Sequence, residues 1–305
     1  MSDLDWLTTE QPNPRTTDID RLDTLGVLQR LNDEDQLVAP AVRAALPQVA
    51  RGVDLALERW QRGGRIVLFG AGTSGRLAML DAAELGPTFG VPPERYLARL
   101  AGGPGAFLHA VEGAEDDREA GAHAAGDLLP DDLAFGVAAS GRTPWVLAAL
   151  EQARQRGAAT IGLACVRQPA LADLVDVCIA VDTGPEAISG STRLKAGTAQ
   201  KLVLNAFSST LMIRLGKVYG NLMVDVRATN AKLRRRAVRL VQAAARVDAA
   251  TAERALAEAR GQVKVAIAAL RLAVPAEEAA RRLNAASGRL RIVLEEAYPR
   301  SARIL

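Results

Sequence analysis

Histidine and cysteine are nearly missing from this chain of 305 residues, with two of each, and aromatic residues make up only 4% of it. Cys165 and Cys178 each lie in an apolar run resembling a buried strand, so they read as small core residues rather than a redox pair. A zinc site needs closely spaced Cys, His or carboxylate ligands, and neither the cysteines nor His109 and His123 have that spacing. No apolar run is long enough to cross a bilayer. The opening residues, MSDLDWLTTEQPNPRTTDID, are acidic and polar where a secretory leader is basic and then apolar. These absences predict a cytoplasmic protein with no membrane contact. Charge of one sign is lacking as well: 38 Lys and Arg against 35 Asp and Glu leave +3, which points to no partner. What is present, 49% hydrophobic and 24% charged residues, suits a globular protein with a sizeable core and room for a small extra domain.

Hydrophobic periodicity organises the chain. Between about residues 33 and 63, Leu46, Val49, Val53, Leu57 and Trp60 recur in steps of three and four, which predicts a helix with one buried face. Short β-rich runs come next at 65–70, 95–100, 133–140, 159–166 and 177–181, separated by alanine-rich stretches compatible with helix. This alternation predicts an α/β fold in which helices cover a parallel sheet. Ligands of such sheets bind beyond the carboxyl ends of the strands, so the loops after the runs are the places to search.

Three of those loops are rich in small residues and hydroxyls. The first, GAGTSG, carries Thr73 and Ser74; the second, AASGRTPWV, carries Ser140, Arg142 and Thr143, with Pro144 suited to a first helical turn. The third, GPEAISGSTRLKAGTAQKL, places Glu186, Ser189, Ser191, Thr192 and Lys195 before a long helix. Any one hydroxyl before a helix reads most simply as a cap. Three on one sheet edge, with backbone N–H groups at the helix starts, form a cradle for a phosphate monoester. GAGTSG also matches the dinucleotide pattern G-x-G-x-x-G, but that fingerprint requires an acidic residue near the end of the next strand, and RYLARLAGG has none.

Together, GTSGRL, ASGRTP and the segment from Glu186 to Lys201 resemble the sugar isomerase (SIS) domain, a three-layer, flavodoxin-like fold that binds phosphosugars. Longer motifs narrow the resemblance: TTEQPNPRTTDIDRL, LNDED, GAGTSGRLAMLDAAE, HAVEGAEDDRE, GSTRLKAGTAQKLVLN and IRLGKVYGNLMVDV are similar to the N-acetylmuramic acid 6-phosphate etherases. Small departures occur at Ala78, at DAAELGP and at Leu194, and none removes a hydroxyl, carboxylate or lysine of the three loops. The resemblance implies cleavage of a D-lactyl ether on a phosphosugar, without metal or cofactor, in a homodimer. It further implies a 1–50 N-terminal helical segment and dimer-contact arm, a phosphosugar-binding domain over 51–230, and a UBA-like helical domain over 231–305.

The chemistry it implies is an elimination. The open-chain aldehyde acidifies the C2 proton, a base removes it, an acid protonates the departing lactate oxygen, and water adds afterwards; two carboxyl groups suffice, one with a raised pKa. Read alone, Glu84 is an exposed helix residue and Glu115 is one charge of the run from Glu112 to Glu119. The motif context makes Glu84 the proton donor and Glu115 the second catalytic glutamate, the C2 base. Glu84 stands ten residues beyond Ser74, about 15 Å along one straight helix, farther than a phosphosugar spans from phosphate to C3. Either the helix bends or Glu84 serves the partner subunit's site.

Beyond Asn230 the chain reads as three alanine-rich helices, with Asp248 as a cap and Pro275 at a start. The basic cluster Lys232, Arg234, Arg235, Arg236 and Arg239 reads as the wet side of a helix, with no aromatic stacking set to suggest nucleic acid. Two other functional classes fit the same cradle: a phosphosugar aldose–ketose isomerase, and a non-catalytic phosphosugar sensor of the glucokinase-regulatory type.

Overall fold

The five apolar runs become the five strands of a parallel sheet. They are β1 (Ile66–Gly70), β2 (Tyr96–Leu100), β3 (Leu133–Val137), β4 (Ala159–Ala164) and β5 (Val177–Ala180), in the spatial order β2-β1-β3-β4-β5. The computed structural model describes residues 8–226 and 231–297; the first seven residues and the expected boundary at 230 lie outside the described residues. β1, β3 and β4 are buried along their whole length, which is why they read as continuous apolar runs instead of alternating ones. Each observed strand begins and ends within a few residues of its run.

Helices cover both faces. On one side α2 (Val38–Gln61) packs through Val42, Ala45, Val49, Gly52, Val53 and Ala56, after α1 (Thr24–Asp35). Its buried stripe is therefore turned from the expected one: Leu46 is 44% exposed, and Leu57 and Trp60 are only partly buried. The reason is closeness, since a Cβ on Gly52 would stand 3.2 Å from Ile161 Cδ1. Small residues let α2 approach the strands, whereas a leucine stripe would hold it off. Beside it lie α3 (Gly72–Phe89) and the first part of α6 (Lys195–Arg214), with Phe207 edge-on to Phe135 at 4.9 Å. On the opposite face, α4 (Arg118–Ala124) and α5 (Pro144–Gln155) are equally close to one another: a Cβ on Gly121 would come within 2.2 Å of the Trp145 carbonyl oxygen.

The two ends of the sheet differ in chemistry. At the amino ends of β1 and β3, Arg65 pairs with Asp132 at 2.7 Å and Asp127 at 3.1 Å, and Asp132 also accepts from the Arg65 backbone N–H at 2.7 Å. Burial pushes the Asp132 carboxyl up, but these bonds outweigh it and hold the carboxyl below its ordinary value. The carboxyl ends carry the hydroxyl loops.

Contacts divide the chain into two compact units, one running to Ala83 and from Pro93 to Ser209, the other comprising Glu84–Pro92 and everything from Thr210. The N-terminal segment thus belongs to the same unit as the sheet, and residues 210–226 go with the helical unit, unlike the divisions the sequence suggests. The second unit contains a two-stranded hairpin, β6 (Val218–Tyr219) with β7 (Leu222–Met223), and helices α7 (Ala231–Ala245), α8 (Ala249–Glu258), α9 (Val263–Leu272), α10 (Ala276–Ala285) and α11 (Leu290–Ala297). Two of the three helices expected here are therefore broken. The breaks fall where the backbone turns left-handed, at Arg260 and Gly261 and again at Ser287 and Gly288. Asp248 caps α8 by accepting from Thr251 N–H at 2.7 Å.

One contact seats the start of α3. A Cβ on Gly75 would lie 2.3 Å from Leu100 Cδ1 and 2.5 Å from the Gly70 carbonyl oxygen, and one on Gly70 would lie 2.7 Å from Gly75 Cα. Gly75→Ala is accordingly expected to destabilise the protein by about 2 kcal/mol in denaturant unfolding, through overpacking at the strand end.

Candidate active site

Chain order against spatial order shows that β1 is flanked on one side by β2 and on the other by β3, which makes the β1/β3 boundary the switch point of the sheet. α3 leaves one side of that crevice and α5 the other. Gly72 takes a left-handed conformation (φ 54°), turning the chain from β1 directly into the helix. Ser74 is buried and Thr73 half-buried, and neither hydroxyl has a protein partner among the described residues.

The second loop has the same character. Ser140 Oγ accepts from the Arg142 backbone N–H at 3.2 Å, closing the turn. Thr143 occupies the N-cap position of α5, yet its hydroxyl caps nothing; only its carbonyl is used, accepting from Val146 and Leu147. The capping role that any single loop suggests is not the one Thr143 plays.

The third loop departs from expectation. Glu186 is fully buried and accepts from Lys195 N–H at 2.8 Å and Ala196 N–H at 2.9 Å, so a carboxylate already occupies the N-terminus of α6. Burial pushes its carboxyl above the ordinary value, against those two N–H groups and the Lys195 charge. Lys195 is itself 2% exposed and pairs through Nζ with Glu34 at 2.7 Å. Both residues, expected in the substrate site, are committed inside the protein. The Glu34 partner lies 161 positions away, which is why the lysine reads locally as a ligand group. Ser191 and Thr192 are half-buried with hydroxyls unpaired among the described residues, while Ser189 Oγ donates to the Gln11 carbonyl at 3.4 Å. This loop reaches the first, since a Cβ on Gly197 would stand 3.5 Å from Thr73 Cγ2.

The segment the resemblance implied as a dimer arm packs on this loop of its own chain. Gly190 N–H donates to the Thr9 carbonyl at 3.1 Å, Thr16 Oγ1 to the Ala187 carbonyl at 2.8 Å, and Asn13 Nδ2 to the Pro185 carbonyl at 3.2 Å and to Glu34 at 2.8 Å. Arg15 Nε adds an ion pair to Glu34 at 2.8 Å. Burial raises the Glu34 carboxyl, but the bonds from Lys195 and Asn13 and the charges of Lys195 and Arg15 outweigh it, leaving the group below its ordinary value.

Glu115 lines a cavity of about 330 Å³ together with Gly72, Arg76, Ala101 and Val111. Its backbone carbonyl accepts from Trp145 N–H at 2.9 Å, which ties it to the first turn of α5, while its side chain is exposed. The charged run around it is not uniform: Asp117 caps α4 by accepting from Ala120 N–H at 2.9 Å, and Arg118 pairs with Glu151 at 2.6 Å. Glu84, on α3 in the other contact unit, is also exposed. A larger cavity of about 680 Å³ lies within the helical unit, and no site residue named from the sequence lines it.

Sequence reasoning passed over Asp81, which stands inside the GAGTSGRLAMLDAAE motif. It is buried and accepts from Tyr96 Oη at 3.0 Å, Asn205 Nδ2 at 2.9 Å and Ser208 Oγ at 3.0 Å, fastening α3 to β2 and α6. Burial pushes its carboxyl up, against those three donors.

Three family models match the chain: the N-terminal SIS domain of glucokinase regulatory protein over residues 48–154, the SIS domain over 108–209, and the C-terminal lid domain of glucokinase regulatory protein over 220–292. Among similar curated proteins is an N-acetylmuramic acid 6-phosphate etherase of Mycolicibacterium smegmatis, 52% identical over 297 residues, covering 96% of this chain and 99% of its own length. Another of that name, from Deinococcus radiodurans, is 53% identical over 94% of this chain and 95% of its own. A third, from Streptomyces avermitilis, is 50% identical over 97% and 96%.

The Glu34 network yields a test. Its lowered carboxyl contributes stability that is present above the ordinary value of 4.5 and is lost as pH falls through the folded value. Glu34→Gln is expected to cost about 3 kcal/mol at neutral pH, by leaving Lys195 buried without a counter-charge. Unfolding measured between pH 7 and pH 3 should show a shallower acid loss in the variant than in the parent.

Proposed function

The chain belongs to the N-acetylmuramic acid 6-phosphate etherase family, and from that membership we propose how its residues carry the reaction. It is an enzyme that takes N-acetylmuramic acid 6-phosphate and water to N-acetylglucosamine 6-phosphate and D-lactate. The observation that carries this is a relationship at half identity over nearly the full length of both chains. Thr73, Ser74, Ser140, Thr143, Ser191 and Thr192 hold the phosphate with the N–H groups at the start of α3; the unpaired hydroxyls of Thr73, Ser74, Thr143, Ser191 and Thr192 support this. Glu186 and Lys195 support the cradle from behind without touching the ligand.

The reaction proceeds on the open-chain sugar. Glu115 removes the C2 proton, the electron pair forms the C2–C3 double bond, and the C3–O bond breaks as Glu84 protonates the leaving oxygen. D-Lactate departs. Water then adds at C3, its oxygen keeping one proton while the other restores the Glu84 acid, and the proton held by Glu115 returns to C2, so atoms and charge balance. We further propose a cytoplasmic homodimer in which Glu84 serves the partner's site. α3 runs as one helix from Gly72 to Phe89, and Leu80, one turn before Glu84, is 50% exposed, which supports this reading. Among the described residues no helix is long and apolar enough to cross a membrane.

Purified protein given N-acetylmuramic acid 6-phosphate should release D-lactate stoichiometrically, with Glu84→Ala and Glu115→Ala each slower by about 10³-fold. Tight binding with no lactate would favour the regulatory alternative, and conversion without lactate an isomerase. Mixing and reassembling the two inactive variants should restore about a quarter of the parent activity, because half the dimers are mixed and each holds one intact site. Mixed dimers without activity would end the shared-site proposal.

A further inference from the structure

The substrate of the proposed reaction carries two anionic groups, the phosphate at C6 and the carboxylate of the lactyl ether at C3. The hydroxyl loops provide for the first. For the second, a cation is needed beside the catalytic carboxylate, and the cations named from the sequence do not provide one. Lys195 is buried on Glu34. Arg142 is not among the residues that line the Glu115 cavity.

Arg76 remains. It stands in the first turns of α3 and is the one cationic side chain among the residues that line the Glu115 cavity. Its Nε donates to the Phe107 carbonyl at 2.9 Å and its Nη2 to the Ala106 carbonyl at 2.8 Å. Those acceptors are neutral, so the guanidinium charge has no carboxylate partner among the described residues, and Nη1 has no acceptor there either. A guanidinium is a planar fork whose second edge, Nη1 with Nη2, matches a carboxylate. One edge is spent on the turn at 104–107, which fixes the orientation of the other. The remaining lining of the cavity is alanine, glycine and valine apart from Glu112 and Glu115, so nothing else in it competes for an anion.

We propose that Arg76 binds the lactyl carboxylate through this second edge and so sets the specificity for a 3-O-lactyl phosphosugar over phosphosugars that lack the group. The proposal rests on the etherase reading. It gives the guanidinium two tasks: one edge shapes the loop leading to Glu115, and the other recognises the leaving group.

Two ligands separate this from a loop-building role. N-Acetylmuramic acid 6-phosphate carries the lactyl group and N-acetylglucosamine 6-phosphate does not, while both carry the phosphate. In Arg76→Gln, KM for the first should rise about 30-fold, as expected for loss of a charge-assisted bidentate contact. The inhibition constant of the second should stay within about twofold, which also reports that the cradle is folded; Arg76→Lys should recover part of the loss. Equal weakening of both ligands would overturn the proposal in favour of a purely structural role, and unchanged KM would overturn it outright. If the unsubstituted protein released no D-lactate, the etherase reading would fail instead, and affinity for the two ligands by calorimetry would still judge Arg76.

Discussion

A carboxylate and an ammonium buried together hold the candidate site in place. Glu34 and Lys195 are almost wholly removed from water, a costly arrangement that survives only when geometry is good and every remaining polar edge is met. Here Asn13 donates to the same Oε2 of Glu34 that Lys195 uses, Arg15 brings its charge to 2.8 Å from Oε1, and the backbone N–H groups of Lys195 and Ala196 are met by Glu186. One knot therefore joins the N-terminal segment, α1, the loop at 184–194 and the start of α6. Removing Glu34 or Lys195 would leave the other's charge buried without a counter-charge, so the loop carrying Ser191 and Thr192 is held more firmly than its polar composition suggests.

The same physics explains which parts were legible in the sequence. Strands buried on both faces announce themselves as apolar runs, and all five were found; the hydroxyl loops are legible from their position after those runs. The orientation of α2 was missed because its contact depends on small residues such as Ala45 and Gly52, which carry no hydrophobic signal of their own. The breaks near Gly261 and Gly288 were missed because strong helix formers flank them on both sides. Lys195 and Glu186 were misjudged for a different reason. A charged residue in a polar loop declares that it needs a partner, but not whether that partner is a ligand or a residue 161 positions away.

Glu115 shows the opposite case. Nothing in a run of acidic residues by itself distinguishes one carboxylate from its neighbours; the motif context singles out Glu115, and the fold adds the bond from Trp145 N–H to its backbone carbonyl that ties it to α5. Asp117 and Arg118 leave the run by finding local partners. What remains beside α3 is a cavity with few chemical features, where one guanidinium and two carboxylates carry the polarity.

The carboxylate of Glu186 on the first turn of α6 bears on ligand direction. Helix starts attract anions indiscriminately, and a sheet edge with several of them offers a phosphosugar more than one pole. By seating a carboxylate on one, the protein fills the Lys195 and Ala196 N–H groups there and leaves the start of α3 as the open pole. An internal side chain thus stands in for an external anion at that helix start and narrows the places along the sheet edge where one can sit.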